Sequence, residues 1–144
     1  MTVHLLKLSV GTTDIDDLAG FQRARLEQSM RKGGTPRLWH RTRNTPRRAE
    51  ELLAGGSIYW VIGGRIRARQ RLVGFESEQD PDRGKICLFM LDPELVPTDP
   101  WPHRAFQGWR YLDPKDAPPD RPVGEAGDGM PEEMIAELRE LGLL

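Results

Sequence analysis

Four arginines stand at alternate positions, Arg65, Arg67, Arg69 and Arg71. On an extended strand such a series shares one face at about 6.6 Å per step, close to the spacing of successive phosphates along an extended nucleic-acid backbone. The preceding run Ser57–Ile62 is joined to them by Gly63-Gly64, the signal for a two-residue hairpin turn. That turn pairs Trp60 with Arg67 and sets the indole beside the guanidinium groups, where a base can stack. Two alternatives remain open: carboxylates of another element pair these arginines, or a one-residue slip of register sends Trp60 into the core.

A second basic stretch, Thr42-Arg43-Asn44-Thr45-Pro46-Arg47-Arg48, carries Thr45-Pro46 as a helix start, so that free N–H groups and cations together offer an anion site. The alternative is an ordinary helix cap with exposed arginines. A third stretch, Gln107-Gly108-Trp109-Arg110-Tyr111, combines a flexible glycine, two aromatics and a cation. It suits either a base pocket, with Arg110 its better functional candidate, or a strand that buries Trp109. For acid–base chemistry the candidates are His40, flanked by Trp39 and Arg41, and Glu76. Neither belongs to a recognisable catalytic motif: G-x-S-x-G, Walker A, H-E-x-x-H and a post-strand G-x-G-x-x-G are all missing. Cys87 lies in an apolar run and reads as a core residue, and Ser57 as a turn residue. The histidines His4, His40 and His103 and the single cysteine show no metal-ligand spacing, so no metal and no cofactor are expected.

The elements that must position these residues are legible in outline. Val3–Val10 reads as a first strand ending at Gly11. A helix follows from Thr13 to about Met30, with Ile15, Leu18, Ala19, Leu26 and Met30 on one stripe, Phe21 at its border, and Gly33-Gly34 as its stop. Arg37–Arg43 predicts a short strand with Leu38, His40 and Thr42 on one side. A helix over Pro46–Ala54, the Gly63-Gly64 hairpin and a strand over Lys85–Leu91 come next. Gly74 offers a bend in the long Arg65–Glu78 strand. Pro93, Pro97, Pro100 and Pro102 make Asp92–Pro102 a loop or an edge. The expectation is an α+β domain over residues 1–112, with a small mixed or closed β-barrel and two inserted N-terminal helices. A Pro/Asp/Gly-rich linker (113–130) and an amphipathic C-terminal helix (131–144) complete the chain.

Length and charge bound the rest. A chain of 144 residues suffices for one ordinary domain, and no apolar run has membrane-spanning length, so a cytoplasmic protein without a membrane partner is expected. The net charge of −1 hides a division: residues 1–112 hold 18 Lys and Arg against 13 Asp and Glu, and residues 113–144 hold 3 against 9. Such asymmetry favours a polyanionic partner for the first part. It equally favours an acidic tail, with Met134, Ile135, Leu138 and Leu141 on its apolar stripe, that packs on its own domain or a symmetry mate and masks the basic surface.

The stretches His4–Leu8, Thr45–Leu53, Gly55–Ile62, Arg67–Arg71, Leu91–Val96 and Phe106–Leu112 resemble a bacterial family of short proteins known only as a numbered domain of unknown function. More distantly, Ile58-Tyr59-Trp60-Val61-Ile62-Gly63-Gly64-Arg65-Ile66-Arg67-Ala68 is similar to the PUA-like superfamily, with its ASCH and EVE branches. That resemblance implies a small β-barrel that binds RNA or modified bases. The chain has no counterpart of the lysine-centred ASCH motif. Together these features predict a nucleic-acid-binding module for RNA, a modified base or a nucleotide. Its contact residues are expected to be Arg43, Arg47, Arg48, Trp60, Arg65, Arg67, Arg69, Arg71, Trp109 and Arg110. The alternatives are a metal-independent ASCH-type hydrolase of RNA or modified nucleosides, and a protein-interaction domain.

Overall fold

A computed structural model describes residues 2–31 and 37–121. The helix stop at Gly33-Gly34, the linker beyond residue 121 and the C-terminal helix lie outside the described residues. The elements are β1 (His4–Leu8), α1 (Ile15–Arg31), β2 (Leu38–Thr42), α2 (Ala49–Leu53), β3 (Ser57–Ile62), β4 (Arg65–Asp80), β5 (Gly84–Pro102) and β6 (Trp109–Leu112), followed by a 3-10 turn at Pro114–Asp116. The six strands form one mixed sheet in the order β2-β5-β4-β3-β1-β6. Only β1 and β3 are parallel; every other pair is antiparallel.

The expected α+β class holds, but the barrel is not closed: the end strands β2 and β6 do not pair with each other. The sheet nevertheless curls sharply. Phe89 on β5 and Trp109 on β6 stand four strand positions apart, which is about 19 Å in a flat sheet, yet their rings are 6.3 Å apart. His40 on β2 and Trp60 on β3 meet edge to face at 5.2 Å. Both contacts lie on one face, so this face is the concave one. It holds the main core of Leu5, Leu38, Leu52, Ile58, Trp60, Ile62, Leu72 and Phe89. A smaller cluster of Leu6, Tyr59, Val61, Ile66 and Leu112 occupies the other face.

Helix α1 covers the concave face through buried Leu18 and partly buried Ile15 and Leu26. Its start is capped at Asp14. Asp14 accepts from the Asp17 amide, and Asp17 reaches back to the Thr13 amide and hydroxyl. Met30 and Phe21 are exposed and do not join the stripe. The apolar face carries one fully buried amide, Gln70, which exchanges hydrogen bonds with Gln22 of α1. Gln70 also receives the Trp60 indole N–H and donates to the Asp92 carbonyl. Its hydrogen-bonding capacity is met, which is the condition for burying an amide.

The turn at Gly63-Gly64 forms as expected, with φ of 58° and 81°, values that glycine adopts without steric cost. Pairing starts as predicted, Ile62 opposite Arg65 and Val61 opposite Ile66, and then a bulge intervenes. Trp60 faces Ala68, not Arg67, and Tyr59 faces Arg69. One extra residue in β4 reverses the sidedness of everything beyond it. Further register shifts on either side of Leu72, the second at Gly74, let β4 and β5 bend around the core. The proline-rich segment is part of β5, not a loop. Beyond Leu91, β2 no longer pairs with it, so the prolines lie where a missing N–H donor is tolerated. Residues 118–121 flank that free edge: Asp99 donates to the Pro119 carbonyl and Arg121 to the Pro97 carbonyl. The stretch 113–121, expected as linker, is thus folded against the sheet, with Pro118 fully buried.

Candidate functional site

The bulge decides the fate of the arginine series. Arg65 lies on the concave side opposite Ile62, whereas Arg69 and Arg71 lie on the other face opposite Tyr59 and Ser57. Arg67, at the bulge, is buried, and its Nε donates to the Ile62 carbonyl at 2.7 Å. Arg69 forms a two-pronged ion pair with Asp120, at 2.6 and 2.7 Å, and also donates to the Ser57 hydroxyl. Of the four, only Arg71 is exposed. The expectation of four arginines on one face is therefore corrected: a period-two series presents one face only while the strand is unbulged. Trp60 is 3% exposed and belongs to the core, so no base can reach it without unfolding the sheet.

The second basic stretch is corrected in part. Helix α2 begins at Ala49, after the arginines, with Arg48 as its cap, and a five-residue helix offers no anion site of its own. Arg48 pairs with Glu51, its amide donates to the Tyr111 hydroxyl at 3.1 Å, and its guanidinium lies 5.2 Å from the Tyr111 ring. Arg47 is exposed. Arg110 points to the opposite face from Trp109 and stacks on Phe106 at 4.7 Å.

Two of the highlighted stretches do come together. The curl of the sheet carries Arg41, Thr42, Arg43 and Asn44, at the end of β2, toward Gln107, Gly108 and Trp109, at the start of β6. Together with Lys7 of β1 they line a cavity of about 490 Å³. Register places Lys7 between Trp60 and Trp109 on the concave face. Among the described residues the lining holds three cations, two amides, a hydroxyl and an indole, and no carboxylate. Arg41 is 3.7 Å from Glu78, an exposed contact on its outer side. Lys7, Arg43 and the Asn44 and Gln107 amides have no hydrogen-bond or ion-pair partner among the described residues. Desolvation holds the Lys7 ammonium below its ordinary pKa.

His40 packs behind this cavity against Trp60 and Phe89, with a buried Nε2 that has no partner. Burial first, then the charges of Lys7 and Arg25, lower its pKa to about 4, so the imidazole is neutral at physiological pH. Glu76 is distant in role: it faces the opposite side of the sheet, beside Leu88, and pairs with Arg37. The two acid–base candidates are therefore not brought together. Among the described residues no group of His, Cys, Asp and Glu is arranged to hold a metal ion, and no helix is long and apolar enough to cross a membrane. Lys7 and Arg41 are the lining cations that sequence reasoning missed. A signal for Lys7 exists, because a lysine interrupts the otherwise apolar strand Leu5-Leu6-Lys7-Leu8, and strands that apolar are covered on both faces.

These features define an α+β protein with an open, curled sheet and a cationic cavity between its end strands. Comparison with curated proteins and with solved structures returns no match, and a PUA-like relationship is not shown. The chain belongs to the family described as Protein of unknown function (DUF1489), whose sequence model matches residues 5–144. This is a numbered family of unknown function, as the sequence leads one to expect.

Proposed function

We propose that the protein is a nucleic-acid-binding module that holds a phosphate of single-stranded RNA, or of a nucleotide, in the cavity between β2 and β6. The observation that carries the reading is the convergence of Lys7, Arg43, Asn44 and Gln107 on one cavity that, among the described residues, offers them neither a partner nor a carboxylate. A partly desolvated ammonium with no counter-charge is destabilising, and an entering anion removes that cost. Trp109 offers a ring for a neighbouring base, a contact that contributes roughly 1–3 kcal/mol per base. Arg47 and Arg71 are exposed but do not line the cavity, and Arg71 lies on the other face of the sheet. The partner in this reading is cytoplasmic RNA.

The test is a titration with short single-stranded RNA at about 50 and about 200 mM salt. Neutralising the one phosphate held in the cavity predicts a loss of affinity of about two- to threefold between these conditions. Lys7→Met and Arg43→Gln should each weaken binding and flatten the salt slope, whereas Arg65→Gln should leave both close to the parent values. Absence of binding at either salt concentration would remove the reading.

A further inference from the structure

We infer that the cavity selects a terminal phosphate monoester, on the end of a single strand or on a free nucleotide, over an internal phosphodiester. The inference rests on the nucleic-acid reading above and adds the geometry of the cavity's ends. Its two walls, the end of β2 and the start of β6, do not stay apart along their length. Just beyond Trp109 the cap of α2, in the segment that follows β2, is tied to β6: the Arg48 amide donates to the Tyr111 hydroxyl at 3.1 Å, and the Arg48 guanidinium lies over the Tyr111 ring. Tyr111 in turn packs edge to face on Trp109, at 5.2 Å. The gap is therefore bridged at its Tyr111 end, and the core residues Trp60 and Phe89 stand beside its lining residues Lys7 and Trp109. A polynucleotide can put an end into such a space, but it cannot run through it.

Charge and size agree with that shape. Three cations without a carboxylate match the nearly two negative charges of a monoester near neutral pH better than the single charge of a diester. The extra terminal oxygen also supplies an acceptor for the Asn44 and Gln107 amide donors, which have no acceptor among the described residues. About 490 Å³ exceeds the needs of phosphate alone and lies in the range of small-ligand sites, so one whole nucleotide can be accommodated with its base toward Trp109.

The experiment compares three RNAs of one short sequence, phosphorylated at the 5′ end, phosphorylated at the 3′ end, or bearing hydroxyls at both. The full chain is used, and a nucleoside monophosphate serves as competitor. One phosphorylated form should bind on the order of tenfold more tightly than the unphosphorylated form, and the free nucleotide should compete. Which end is preferred separates the 5′ from the 3′ source. Lys7→Met should erase the preference. Arg43→Gln, at an exposed position where folding is not at stake, should reduce it independently. Equal, salt-dependent binding of all three RNAs would overturn the terminal selectivity and leave the nucleic-acid reading standing. No binding of any RNA or nucleotide would overturn both.

Discussion

His40 keeps its imidazole at a pKa of about 4, against an ordinary 6.5, by desolvation and then by the charges of Lys7 and Arg25. In the unfolded chain the same ring is solvated and titrates near its ordinary value. Between these two values the unfolded state binds a proton that the folded state refuses. Stability from this group is thus complete above about pH 6.5, declines as the pH falls through the window, and has no more to lose below about pH 4. Integrated from about pH 7 to about pH 5, the loss is about 2 kcal/mol. His40→Phe keeps a ring against Trp60 and removes both the titration and the unpartnered Nε2. Urea unfolding of both proteins at the two pH values isolates the effect. Contributions from carboxylates and from His4, whose pKa burial also lowers, cancel in the difference between parent and variant. The parent should lose about 2 kcal/mol more than the variant on acidification, with unchanged m-values. Equal losses would refute the burial of a neutral His40 beside Lys7 and Arg25.

Three further outcomes follow from packing. Gly56→Ala would drive a Cβ into the carbonyl oxygens of Leu52 and Val3, backbone atoms that cannot yield, and should cost about 3 kcal/mol or more in chemical denaturation. Gln70→Leu deprives the Trp60 indole and the Gln22 amide of their partner and should cost roughly 2–4 kcal/mol, read from the urea midpoint at constant m. Arg69→Met frees Asp120 from its two-pronged pair, so limited proteolysis should cut within residues 113–121 faster than in the parent. An unchanged cleavage rate would show that Pro118 and the backbone bonds to β5 hold that segment unaided.

What the sequence makes legible is local. The Gly63-Gly64 turn, the strand of Leu38, His40 and Thr42, and the span of α1 each depend on residues close in the chain, and each forms. The bulge at Arg67 escapes because alternating arginines look the same whether the strand is regular or interrupted. An arginine can also enter the interior when its stem is apolar enough and a carbonyl such as that of Ile62 receives the guanidinium. Helix α2 starts late because Pro46 is buried in the turn before it and Arg48 takes the capping position. The cavity escapes for another reason. Thr42–Asn44 and Gln107–Trp109 are each conspicuous as sequence, yet their meeting depends on how far the sheet curls, a sum of small shifts in β4 and β5. Lys7 interrupts an otherwise apolar strand, but nothing near it in the chain tells that Thr42–Asn44 and Gln107–Trp109 will be brought beside it.

The parallel pairing of β1 with β3 has a consequence for biosynthesis. Strands β3, β4 and β5 are linked by short reversals and can zip together as each emerges from the ribosome. Strand β1, though translated first, lies between β3 and β6, and one of its two neighbours is the last strand of the sheet to be made. The apolar segment Leu5-Leu6-Lys7-Leu8 must therefore wait, one edge unpaired, while nearly the whole body is synthesised. Such long-range closure is slow, and it exposes a sticky strand in the interim. A charge in the middle of an apolar strand disfavours edge-to-edge pairing with other chains, so the lysine that lines the cavity in the finished protein also lowers the hazard of the segment while it waits.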